Sequence, residues 1–142
     1  MTVSVCSIYF YGGKAFVPVS AQSESGLWVS VEPFQVVEVI ESEIVKALEQ
    51  ARAAGHPRIP NPGSDYLDNN NPLLKVTGAK SFKQFDRKRI AYLIVWDNQE
   101  VYVNVAPVGE QNFDLRRRMK FDDTVSLSEI VQAILKDWEA HS

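Results

Sequence analysis

Imidazole and thiol groups, the usual agents of metal binding and covalent chemistry, are scarce in this chain: His56, His141 and Cys6 are its only ones. Neither histidine has a cysteine or second histidine at ligand spacing, so no transition-metal site is expected and no cofactor is implied. Cys6 lies in an apolar run and reads as a small buried hydrophobe. His141 stands next to the final residue, where a helix end frays. His56 follows Gly55 at the start of a long loop, where it is expected to meet helix-end carbonyls or water. The catalytic alternative makes it a general base, with Asp65 in the same loop. Asp65 and Asp68 work as an acid–base pair only if something buries them, and a proline- and asparagine-rich loop keeps carboxylates solvated. Asp122 and Asp123 precede a helix and suit its dipole. No Gly-x-Ser-x-Gly, phosphate loop or calcium loop occurs, and Gly12-Gly13 lacks the third glycine and helix of a dinucleotide site. The expectation is a non-enzymatic protein with no catalytic residues.

Charge is more informative. Residues 1–72 carry four basic and eight acidic side chains, residues 73–142 eleven and ten. Six bases (Lys75, Lys80, Lys83, Arg87, Lys88 and Arg89) fall within 75–89 against one acid, Asp86. Arg116, Arg117, Arg118 and Lys120 form a second cluster. On an extended strand Arg116, Arg118 and Lys120 share one face, and Arg117, Met119 and Phe121 the other. One reading is an edge strand guarded against aggregation. Another is a positive patch for an acidic protein or a phosphate backbone, through Lys80, Lys83, Arg87, Arg89, Arg116 and Arg118. A net charge of −3 argues against a dedicated nucleic-acid binder.

The elements that must position these groups are legible from periodicity. Val3–Tyr11 and Lys14–Val19 flank Gly12-Gly13 as a hairpin with a type I′ turn. Leu27–Glu32 is a third strand that ends or bulges at Pro33, with Gln35–Ile40 extending it or leading into a helix. That helix, 43–54, carries Ile44, Leu48 and Ala51 on one stripe, with Ser42 as candidate N-cap and Gly55 beyond its end. Residues 55–72 hold four of the seven prolines and Asn69–Asn71, and read as a long loop joining two β-rich halves. Leu73–Val76 reads as a short strand, and Ser81 with Gln84 as a capping box. Ile90–Trp96 and Val101–Val105 form a second hairpin, with Tyr92, Ile94 and Trp96 on its core face. Leu115–Phe121 is a last strand. Ser126 with Glu129, and Val125 with Ile130, open a final helix lined by Leu127, Ile130, Val131, Ile134, Leu135 and Trp138.

The 142 residues suit a single α+β domain: a twisted, mostly antiparallel sheet with two main helices on one face. The element order suggests two β-β-β-α halves. No apolar run approaches a membrane span, and the first residues lack the basic segment of a signal peptide. One cysteine suits a reducing compartment, so a cytoplasmic setting is expected.

The stretch Ala79-Lys80-Ser81-Phe82-Lys83-Gln84-Phe85, followed by Ile90-Ala91-Tyr92, resembles the small bacterial immunity proteins of contact-dependent and other polymorphic toxin systems. The resemblance implies a protein partner, a toxin domain, neutralised by occlusion. It assigns no binding residue. The long loop is the expected contact, through Asp65, Tyr66 and Asp68, with acidic groups facing a basic toxin surface. Truncating Tyr66 as a central hot spot would cost about 2 kcal/mol of affinity or more.

Overall fold

The structure, a computed structural model, describes residues 3–61, 72–110 and 112–141. In chain order its elements are β1 (Val3–Tyr11), β2 (Lys14–Ser23), β3 (Trp28–Glu38), α1 (Glu41–Ala53), β4 (Arg58–Ile59), α2 (Pro72–Thr77), α3 (Phe82–Lys88), β5 (Ile90–Asp97), β6 (Glu100–Ala106), β7 (Met119–Asp122) and α4 (Leu127–His141). The strands build one open sheet in the order β3-β2-β1-β5-β6-β7. All pairings are antiparallel except that of β4, which lies parallel to the end of β2. The class is α+β, as the sequence predicts.

β1 and β5 form the central pair, in register from Val3 with Asp97 to Phe10 with Ile90. Each starts a meander that runs outward and then returns as a helix, β1-β2-β3-α1 on one side and β5-β6-β7-α4 on the other. The two β-β-β-α halves therefore meet edge to edge. Gly12 and Gly13 turn the first hairpin with φ of 60° and 79°, the positive values that a type I′ turn needs and that glycine adopts without a Cβ clash.

Alternation along the strands decides what each face buries. Cys6, Ile8 and Phe10 of β1, Tyr92 and Ile94 of β5, and Val101, Val103 and Val105 of β6 face one way. Ile44, Ala47, Leu48 and Ala51 of α1 cover them beside Ile130, Val131 and Ile134 of α4. α4 opens as its sequence predicts: the Glu129 N–H donates to Ser126 Oγ at 3.1 Å, and the Ser126 N–H to Glu129 Oε1 at 3.3 Å. α1 begins two residues before the expected start, with Ile40 as N-cap and no side-chain cap. Ser42 thus sits inside the first turn, where Glu41 and Glu43 supply the negative charge that favours a helix N-terminus.

The other face is not bare. Leu73, Leu74 and Phe85 form a second cluster on it, packed by Tyr9, Tyr11 and Phe34. Residues 73–76 are thus helix α2 and not a strand. Pro72 opens it, a position where proline's fixed φ helps and its missing N–H costs nothing. α3 follows its capping box, with the Gln84 N–H donating to Ser81 Oγ at 3.1 Å. The expected strand over 115–121 is also shorter. Leu115–Arg117 is a 3-10 turn, capped where Asp114 Oδ1 accepts the Arg116 N–H at 3.0 Å, and only Met119–Asp122 pairs with β6.

Candidate functional site

The β1–β2 ladder closes only near the hairpin, where Tyr9, Phe10 and Tyr11 pair with Phe16, Ala15 and Lys14. Farther along, the strands part, and His56 enters the seam. His56 Nδ1 lies 2.7 Å from the Ser20 carbonyl, and the Val5 N–H points at Nε2 from 3.3 Å. A carbonyl only accepts and an amide N–H only donates, so His56 is the neutral tautomer with its proton on Nδ1. Ser4 Oγ also lies 3.3 Å from Nε2, and Trp28 meets the ring edge-on at 4.8 Å. Just beyond, the Gln22 N–H donates to the Pro57 carbonyl and β4 continues the pairing. His56 therefore serves β1 and β2 rather than the end of α1, which is closed by Gly55 donating to Arg52 O. With both ring nitrogens engaged, it has none to offer as a general base.

Beside this seam, on the face opposite α1 and α4, lies a cavity of about 260 Å³. Ser7 and Tyr9 of β1, Ser20 of β2, Trp28 and Ser30 of β3, and Leu93 of β5 line it, with Leu73 and Phe113 at its sides. Among the described residues, none that lines it is charged. Tyr9 Oη and Ser30 Oγ hydrogen-bond to each other at 3.0 Å. Aromatic walls with a few converging hydroxyls suit an uncharged, partly apolar group. Phe113 at its side and Leu115 nearby are 41% and 67% exposed.

Cations stand on elements that share this face of the sheet, α2 and α3 at one place and β7 at its edge. Lys75 on α2, Lys80 before α3, and Lys83, Arg87 and Lys88 on α3 are all exposed, and among the described residues none forms an ion pair. Across the sheet, Arg118 lies over the Tyr102 ring at 4.9 Å and donates to Asn104 Oδ1 at 2.7 Å. Lys120 pairs with Tyr102, so both bases stand on this face. Arg116 reaches only Asp114 and is 91% exposed in its side chain.

Two arginines of these clusters are structural. Arg89 is 5% exposed. Its Nη1 donates to the Ala106 and Pro107 carbonyls, and its Nη2 to Glu110 O at 2.7 Å and Asp86 Oδ1 at 2.5 Å. It clamps the loop after β6 and leaves the predicted basic patch. Arg117 turns toward α4, donating to Asp137 at 3.2 and 2.5 Å, while Tyr92 Oη donates to the same carboxylate at 2.6 Å. Burial alone would raise the Asp137 pKa, but the hydrogen bonds from Arg117 and Tyr92 outweigh it and hold the carboxyl below its usual range. Burial first, then Asp137, pushes the Tyr92 phenol well upward.

Asp65, Tyr66 and Asp68 lie outside the described residues. The cavity residues Ser7, Tyr9, Ser20, Trp28 and Ser30 were not among the sequence-predicted site. No periodic signal marks them: Ser4 and Ser7 in β1, and Ser20 and Ser23 in β2, stand three residues apart, and the cavity serines come from three different strands.

No family model matches the chain, and no curated protein matches it in sequence. Its fold is similar to that of a protein of unknown function from Neisseria meningitidis, with a TM-score of 0.67 and 9% identity over 99% of this chain and 96% of that one. It is also similar to the CdiA-CT/CdiI toxin and immunity complex from Yersinia pseudotuberculosis, with a TM-score of 0.66 and 11% identity over 100% of this chain and 99% of the matched chain.

Proposed function

We propose that this protein is an immunity protein that binds a cognate toxin domain in the cytoplasm and neutralises it by occlusion, without catalysis. The observation that carries the reading is the end-to-end likeness to a chain of a toxin and immunity complex, at a TM-score of 0.66. The site chemistry supports it. An aromatic-walled cavity with no charged residue among the described ones that line it, on a sheet face that also carries exposed cations, combines the apolar and charged parts of a protein-binding surface. His56, the one histidine beside that surface, is spent on holding the sheet together.

Co-expression tests the reading. The product of the reading frame immediately upstream is induced in a host with and without this chain. Growth arrest relieved only when the chain is present supports immunity; arrest that persists at high expression of the chain removes it.

A second reading, nucleic-acid binding, is favoured by one observation, the five exposed cations of the α2–α3 region, none of them ion-paired among the described residues. It predicts affinity for DNA or RNA that falls by roughly one power of salt concentration per phosphate neutralised.

A further inference from the structure

We infer that the α2–α3 region is a docking surface for an acidic protein face, so that the toxin meets this protein with carboxylates and is captured electrostatically. This deepens the immunity reading and rests on it. It takes up the positive patch for an acidic protein that the sequence offered, in place of acidic loop residues facing a basic toxin.

Lys75, Lys80, Lys83, Arg87 and Lys88 fall within fourteen residues, and every one is exposed. Asp86, the one acid within residues 75–89, is committed to buried Arg89 and so does not neutralise the patch from within. The platform is preorganised. Leu73, Leu74 and Phe85 anchor it to Tyr9, Tyr11 and Phe34; Gln84 and Ser81 fix the start of α3; and the Gly109 N–H ties the next loop to the Asp86 carbonyl. Five like charges held close together repel one another, and an opposing set of carboxylates relieves that repulsion.

The same face disfavours a nucleic acid. Alternation puts Asp97, Glu100 and Asp122 at its far end, where Glu100 is the register partner of both others. Residues 1–72 hold twice as many acids as bases. A phosphate chain tracking across the face would run into these carboxylates, while a folded partner can contact the patch and stop. The neighbouring cavity, with no charged residue among the described ones that line it, suits an uncharged side chain better than a phosphate.

The test combines Lys83→Glu with Arg87→Glu, two exposed positions outside both clusters, and checks folding by thermal unfolding. Association with the product of the reading frame immediately upstream is followed by stopped flow at low and high salt. The double variant is expected to associate at least about tenfold more slowly at low salt, with the difference shrinking at high salt and dissociation little changed. An equal association rate overturns the inference and leaves the immunity reading standing. If the wild-type protein does not bind that product, the reading itself has failed. Poly-L-glutamate then probes the patch alone: salt-sensitive binding lost in the double variant supports an acidic ligand. Tighter binding to duplex DNA or single-stranded RNA than to poly-L-glutamate overturns the assignment to protein.

Discussion

His56 Nδ1 donates to the Ser20 carbonyl at 2.7 Å across the opening between β1 and β2. A side chain from outside the sheet thus takes the place of ladder bonds that the parting strands do not make. Replacing His56 with alanine leaves that carbonyl and the Val5 N–H without a protein partner in a part-buried seam, at a cost of about 1–3 kcal/mol. Urea unfolding measures it. Nitrogen chemical shifts of the imidazole report the tautomer; a proton on Nε2 contradicts the geometry.

Asp137 links stability to pH. Its folded-state pKa lies below the usual 3.8, so between the two values the unfolded chain binds the proton that the folded chain refuses. The stabilisation is whole above the unfolded pKa and is lost as pH falls through the folded value. Asp137→Asn is expected to flatten the acid limb of a stability–pH profile. Asp137→Ala, which strands Arg117 and the Tyr92 hydroxyl in a part-buried site, is expected to cost about 1–3 kcal/mol. An unchanged acid limb in the asparagine variant would show that the carboxylate is not the linked group.

Cys6 is 2% exposed, and burial pushes its thiol up to about 11, against a smaller opposing pull from Arg52. A raised pKa gives a contribution that is whole below the ordinary value of 9.0 and is lost as pH rises toward the folded one. The native thiol is therefore expected to resist a thiol reagent such as DTNB at neutral pH and to react fully in denaturant. Rapid native labelling at pH 7 contradicts the buried placement.

Arg89 holds the loop after β6 through three carbonyls and Asp86. A lysine cannot reproduce a planar fork that reaches four acceptors. Arg89→Lys is expected to speed amide exchange at Gly109 and Asp114, whose N–H groups bond to Asp86 O and Val105 O. Exchange unchanged at both amides would show that the loop stands without the clamp.

Much of the fold could be read from residue order. Period-two runs marked the two hairpins, and the capping boxes at Ser81 and Ser126 marked α3 and α4, because these signals are local. Residues 73–76 misled because a short apolar run fits a strand and a buried helix equally; Tyr9 and Phe34, remote in sequence, decide it by offering α2 and α3 a surface. The site was less legible. Arg89 looked like one more exposed base until Asp86 and the carbonyls after β6 closed around it. Ser7, Ser20 and Ser30 acquire meaning only once three strands bring them to one cavity. The parting of β1 from β2, which gives His56 its role, is a property of pairing that neither strand displays alone.

The central claim is that this molecule acts by holding a toxin domain. Isothermal titration of the product of the reading frame immediately upstream into this protein, with its toxicity assayed on the same samples, tests it most directly. The account predicts a stoichiometric one-to-one complex and activity that vanishes at equivalence. A toxin that stays fully active in excess of this protein would contradict it.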